Sequence, residues 1–557
     1  MRLLKQFIIF LIIYFLTLVC MTTCNDQKTK KPAGVGDNNG NGSITEDTGI
    51  DYVMTVARSN PEPVIDQFHP GSADNEGGYE NGHFIKIDGA YHLLITELFS
   101  VRHPDWGSIP ARVGYWTSTD GDHWNRVCTI VEGNDIPGDP KQYSWSASWY
   151  WNEQENRWNI FWRGNAVFRY RSVVIGKDGM AGPYSEAAKV FLPMLGYNQK
   201  WDNYYTSSFG NIFTGEDGKF YVFVQGGDSS IAPGGNDPQF IRRVARADHV
   251  DGPWSSMNAD GNPSFVYCEN PFASIYEING KKVYLCVYDD LSNQHSLGYG
   301  YSLDGVNWVG KTLDMTGYAD WAFNQNFTQS MRTPCGLIQE DDGTFTIIYT
   351  AFAPRPDAPL YCFGSYAKIG RVNVRIKEVP KPSDKNVVFP GNMDNWQPLS
   401  GKWDVQYGEY SHSDENGSGN SVYKAETYSG VTVEASLRYV DPTQQWNPAA
   451  KAGVYVRKAN VEDKPGEYKS GYYAYLTSKE TVQLYAGSQL LSEVNVGKRP
   501  AIFRKLKLSV KGNRIRVFYE GETNPCIDVT DDTYKGEGYA GIDVYQSHWH
   551  YERIEIY

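Results

Sequence analysis

The chain has 557 residues, more than the roughly 250–300 at which one hydrophobic core stops growing, so two or more domains are expected. Hydrophobic residues make up 41% and aromatic residues 14%, which is enough to fill cores and excludes a disordered chain. A net charge of −13, from 52 Lys+Arg against 65 Asp+Glu, excludes a strong electrostatic grip on phosphates, so nucleic acid is not an expected partner.

The first element is an export signal. Arg2 and Lys5 precede an apolar run from Phe7 to Val19, too short to span a bilayer but suited to a signal core. Cys20 and Cys24 follow, and the chain turns polar at Asn25. This resembles a bacterial lipoprotein signal, which implies a lipid anchor on Cys24, with Cys20 as the rival and an ordinary secretory signal as the alternative. The expected location is the cell surface or the periplasmic face of the outer membrane. Residues 25–54 follow as a flexible tether, rich in Gly, Asn, Asp, Thr and Lys between Lys28 and Gly49.

From 55 to 378 one unit recurs: a short strand, a tight turn, an aromatic-rich second strand, then further strands. The copies are HFIKIDGAYHLLIT (83–96), SWYWNEQENRWNIFW (148–162), NIFTGEDGKFYVFV (211–224), SIYEINGKKVYLCVY (274–288) and GLIQEDDGTFTIIYT (336–350). Their turns fall at Gly89, Asn156, Gly218, Gly280 and Gly343, at intervals of 62–67 residues. Two copies close with S-x-D-G-x-x-W, as STDGDHW (118–124) and SLDGVNW (302–308). Alternating apolar residues mark strands, and Asp-Gly or Asn-Gly supplies the positive φ of a hairpin. A four-stranded sheet repeated at this period suits a β-propeller of five blades, the alternative being six.

These hairpins, with a blade ending in DGPW (251–254), resemble the five-bladed glycoside hydrolases around family 43, whose fold family 32 fructosidases share. The resemblance covers about residues 66–378. It implies hydrolysis of an oligosaccharide or polysaccharide, with a general base in the first blade and a general acid in the fourth.

After a Pro/Lys linker at 379–387, alternation returns without the blade repeat, in VTVEASLRYV, KAGVYVRK, GYYAYLTS, TVQLYAG, KLKLSVKGNRIRVFYEG and GYAGIDVY. Seven or eight strands over 388–557 predict a jelly-roll β-sandwich. The order of these segments resembles laminin-G-like sandwiches, family 66 carbohydrate-binding modules among them. Trp446, Tyr472 and Trp549 are candidate sugar-stacking residues, or else core. The whole chain is therefore expected to be all-β, a five-bladed propeller followed by a sandwich.

In a propeller the first strand of each blade lines the central channel. The residues opening each copy are Glu80-Asn81, Trp145-Ser146, Ser207-Ser208-Phe209, Glu269-Asn270 and Arg332-Thr333. Glycoside hydrolysis needs one carboxylate to activate water and one carboxylic acid to protonate the leaving oxygen. Glu269 is the candidate acid, in the segment CENPFASIYEINGKKVYL (268–285). Glu80 is the candidate base, with Glu76 and Glu97 as rivals. The resemblance also implies a third carboxylate in the third blade; serines stand there, with Asp202 upstream. Asn81, His83, Trp145, Asn270 and Arg332 are candidate substrate-binding residues. No cofactor is required by this chemistry. Asp289-Asp290 is the candidate for a structural Ca²⁺, weighed against solvated loop acids. The remaining six cysteines show no metal-ligand spacing and read as buried hydrophobes, with room for one disulfide. The competing functions are a non-catalytic surface glycan-binding lipoprotein and a polysaccharide lyase with a Tyr or His base.

Overall fold

The computed structural model describes residues 49–557 apart from 99–110, 134–144, 196–210, 226–241, 323–330, 355–364, 460–469 and several shorter stretches. The signal, Cys20, Cys24 and nearly all of the tether lie outside the described residues. Among those described, no helix is long and apolar enough to cross a membrane.

The first two-thirds form units of mainly antiparallel strands. A lone strand β1 (Ile50–Ser59) precedes them. Unit 1 holds β2 (Gly78–Ile87), β3 (Ala90–Leu98), β4 (Ala111–Ser118) and β5 (Asn125–Val131). Unit 2 holds β6 (Trp145–Asn152), β7 (Arg157–Gly164), β8 (Phe168–Val173) and β9 (Ala188–Lys189). Unit 3 holds β10 (Met194–Leu195), β11 (Phe213–Thr214), β12 (Phe220–Gln225), β13 (Arg242–Ala247) and β14 (Trp254–Ser256). Unit 4 holds β15 (Cys268–Ile278), β16 (Lys281–Asp290), β17 (Leu297–Ser302) and β18 (Val309–Leu313). Unit 5 holds β19 (Met331–Gln339), β20 (Phe345–Pro354) and β21 (Ser365–Pro380), with β1 completing its outer edge from Ile50↔Pro380 to Ser59↔Val372.

The hairpin turns fall where the local chemistry puts them. Asp88, Gly89, Asn156, Gly218, Asn279, Gly280 and Gly343 all carry positive φ, between 48° and 81°. The two S-x-D-G-x-x-W segments fold alike. In each, the serine hydroxyl accepts from the glycine N–H, at Ser118/Gly121 and Ser302/Gly305, and the tryptophan N–H donates to that glycine's carbonyl. Burial pushes the pKa of Asp120 up, but hydrogen bonds from His123, Asp122 and Ser118 outweigh it and leave the carboxyl below the usual range.

Packing explains why the second strands are apolar at almost every position. Leu93 and Ile95 of β3 face unit 5 while Leu94 faces unit 2. Phe161 faces unit 3 while Ile160 and Trp162 face unit 1. Tyr221 and Phe223 face unit 4, and Leu285 and Val287 face unit 5. Each sheet is thus sandwiched between two others, and the clusters run from unit 1 round to unit 5 and back. That closed ring of radially packed sheets is a β-propeller.

Composition drew the tether to 54, but strand pairing begins at Ile50. Tyr52 and Met54 alternate into the cluster between units 4 and 5, at 2% and 4% exposure. Likewise β21 continues to Pro380, two residues into the stretch read as linker.

Beyond Val387 the chain forms two packed sheets of eight and seven strands around one core that includes Val433, Val454, Leu484, Leu508 and Ile542. The count exceeds seven or eight because single apolar segments hold hairpins: LKLSVKGNRIRVFYEG takes in most of Arg504–Lys511 and all of Arg514–Tyr519. Short edge strands, such as Trp403–Gln406 and Ile527–Thr530, add the rest.

Candidate active site

The first strands β2, β6, β15 and β19 share one irregularity near their start. Their register slips between Glu80 and Gly82, Trp145 and Ser148, Glu269 and Phe272, and Met331 and Pro334. Each slip is a bulge, one residue too many on the first strand, and bulges re-aim side chains. In β2 and β15 the bulge is the Glu-Asn pair itself. Asn81 and Asn270 both hold left-handed φ, 46° and 48°, a region that asparagine tolerates better than most residues.

The two asparagines meet. Asn81 Nδ2 donates to Asn270 Oδ1 at 2.7 Å. Asn270 Nδ2 donates in turn to Asp289 Oδ2 at 2.9 Å, and Thr333 Oγ1 donates to the same oxygen at 3.2 Å. Asn81, Asn270, Asp289 and Thr333 are all buried, at 3% exposure or less. This polar chain links units 1, 4 and 5, and Glu80 and Glu269 stand one residue before its two asparagines. Glu80 is 4% exposed, whereas Glu269 is half-buried.

His83 is buried and fully engaged. Its Nδ1 accepts the Trp149 N–H at 3.0 Å, and its ring stacks on Phe272 at 5.5 Å. Burial pushes its pKa down to about 3, so near neutral pH it is uncharged with the proton on Nε2. Its contacts are packing contacts between units 1, 2 and 4. Trp145 and Arg332 sit on channel strands as expected, but their side chains lie outside the described residues, as do Glu76, Asp202, Ser207, Ser208, Phe209 and Trp446.

Glu97, the rival base, is tied into the packing of unit 1. It is fully buried and takes Arg112 Nε at 2.5 Å, Arg126 through two bonds at 2.9 Å, and Trp116 Nε1 at 2.8 Å. Asp289 and Asp290 are not loop acids either. They end β16 at 3% and 7% exposure, and Asp290 takes the Thr312 hydroxyl at 2.5 Å. Amide and hydroxyl donors surround this pair, and no group of three His, Cys, Asp or Glu among the described residues is placed to hold a metal ion. Cys128, Cys268, Cys286, Cys335 and Cys526 are free thiols, so no disulfide joins them.

What sequence reasoning did not foresee is that Asp289 and Thr333 bond to each other and to Asn270. The available signal was position: counted out from Asn279-Gly280, Asp289 falls opposite Asn270, and the bulge then shifts its pairing by one to Glu269. In the sandwich, Tyr472 and Trp549 are fully buried core residues and offer no stacking surface. Rings nearer the surface there include Tyr557, 50% exposed, and Tyr545, 39% exposed, while the half-buried Tyr485 has the Lys451 ammonium 4.4 Å from its centroid.

A family model described as a 3-keto-α-glucoside-1,2-lyase-like domain matches residues 384–557. Among proteins of curated function, none matches the chain. Similar solved structures include a glycoside hydrolase family 43 protein from Bacillus licheniformis, at 12% identity over 90% of this chain and 99% of that one, TM-score 0.31. An exo-β-1,3-galactanase from Phanerochaete chrysosporium is similar at 11% identity over 89% and 100%, TM-score 0.36. The carbohydrate-binding module CBM66 from Bacillus subtilis is similar at 16% identity over 29% and 94%, TM-score 0.25.

Proposed function

We propose that the protein is an exo-acting glycoside hydrolase on plant or microbial oligosaccharides or polysaccharides, exported and lipid-anchored through Cys24. The observation that carries this reading is the Asn81–Asn270 bond, which draws together two bulges that each present a glutamate. In this mechanism Glu269 gives its proton to the glycosidic oxygen as the bond to the anomeric carbon breaks. Glu80 takes a proton from the water that attacks that carbon. The enclosure of Glu80 suits a base working on one trapped water. A carboxyl separation of about 6.5–9.5 Å in the substrate complex goes with inversion, and about 5–5.5 Å with retention.

The test is a panel of plant and microbial oligosaccharides with product analysis, run on the parent and on Glu269→Gln. Turnover of substrates with poor leaving groups should fall roughly 10²–10⁴-fold, while activated aryl glycosides suffer less. Full activity of Glu269→Gln on natural oligosaccharides removes Glu269 as the acid. Saturable binding with no product from any sugar would leave the glycan-binding reading in its place.

A further inference from the structure

Asp289 has no assigned role, yet three units of the propeller converge on it. Its Oδ2 accepts both the Asn270 amide and the Thr333 hydroxyl, and Asn270 accepts the Asn81 amide on its other side. One carboxylate therefore collects the bulges of β15 and β19 directly and that of β2 through a single amide. The register also sets Glu269 directly opposite Asp289, so both side chains rise from one face of the hairpin.

We infer that Asp289 is a positioning residue for Glu269 and Glu80; the catalytic consequence rests on the hydrolytic reading above. The argument turns on the polarity of Asn270. An amide side chain has a donor end and an acceptor end of nearly equal shape, so packing alone does not choose between them. An ionised carboxylate accepts only. Asp289 thus compels Asn270 to turn its Nδ2 inward and its Oδ1 toward Asn81. With Asn270 reversed, two NH₂ groups would face each other at the 2.7 Å contact, and the link between the Glu80 and Glu269 bulges would open. Both bulges hold left-handed backbone, which persists only where the surroundings over-determine it. Losing the link therefore frees the two glutamates to move.

The experiment compares full-length Asp289→Asn, Asp289→Ala and Thr333→Val with the parent. Asp289→Asn keeps shape and volume, and Thr333→Val removes one donor while leaving Asp289, so at least one variant remains foldable. Crystal structures of the variants should show the Asn81–Asn270 bond lost or reversed, with displaced Glu80 and Glu269 carboxylates, in Asp289→Ala. In Thr333→Val that bond should persist. On the best oligosaccharide, Asp289→Ala should lose roughly 10–10²-fold in kcat with KM within about threefold, the signature of misplacement rather than lost binding. Asp289→Asn should recover part of that loss, since one of its two amide orientations still accepts from Asn270. An Asp289→Ala protein with the bond and both carboxylates unmoved overturns the inference, as does unchanged kcat in an active enzyme. If the parent cleaves no glycoside, the hydrolytic reading fails by itself, and the crystal structures still decide the positioning role.

Discussion

At the scale of single residues, the buried histidine in the propeller centre ties stability to pH. His83 cannot take up a proton in the folded chain until about pH 3, because burial disfavours the imidazolium. An unfolded histidine does so near pH 6.5. Between those values the unfolded state binds the extra proton, so stability rises with pH and falls on acidification. The slope contributed by one such group is about 1.4 kcal/mol per pH unit. His548, pushed down to about 4 by burial and by its neighbours His550 and His412, acts in the same direction within its own window. Urea unfolding at pH 7, 6, 5 and 4 should therefore show a falling midpoint. His83→Gln should be less stable at pH 7 but lose less on acidification. Parallel curves for parent and variant would show that His83 titrates normally in the fold.

At the scale of elements, β1 is the informative case. The N-terminal strand completes the sheet of the last unit, so the ring is closed by pairing the two ends of the propeller. Tyr52 anchors that closure, packing edge-to-face on Tyr301 at 5.0 Å and reaching Glu378 at 3.3 Å. Truncating a buried aromatic costs about 3–5 kcal/mol, and Tyr52→Ala should lower the denaturant midpoint accordingly. A variant as stable as the parent would return this stretch to the tether. The same contrast governs how much could be read from sequence. Hairpins were legible because Asp88-Gly89 and Asn279-Gly280 satisfy a positive φ locally. The bulges were not, since an extra residue is defined only against the partner strand, as between Glu269/Phe272 and Asp289/Val287. Both glutamates stood out because they open the repeats. Asp289 was weighed as a Ca²⁺ ligand or a solvated acid because nothing nearby in sequence shows that Asn270 and Thr333 enclose it. Tyr472 and Trp549 stayed open between stacking and core for a related reason, since alternation tells which residues share a face but not which face is covered.

At the scale of the whole molecule, propeller and sandwich together, residues Asp47–Tyr557, form a single compact unit. A charged contact helps to explain this. Arg504 of the sandwich is 2% exposed and donates to Asp314, the residue after β18, at 2.9 Å. A guanidinium so enclosed is held by its partner, and removing the pair's geometry leaves a buried charge or an unmatched acid. Arg504→Met keeps the aliphatic stem and discards the charge. Asp314, whose side chain is 35% exposed, can then rehydrate, which places the cost toward the lower end, about 1–3 kcal/mol. That loss falls on the docking of two bodies that each have a core of their own. Scanning calorimetry of the parent should give one transition, and Arg504→Met should give two, with faster proteolysis between Lys381 and Asn386. Asp314→Asn, which keeps a hydrogen-bond acceptor but leaves Arg504 only the more distant Glu520 carboxylate at 3.7 Å, should separate the transitions about as far. A single unshifted transition in both variants would mean that apolar contact alone holds the sandwich on the propeller.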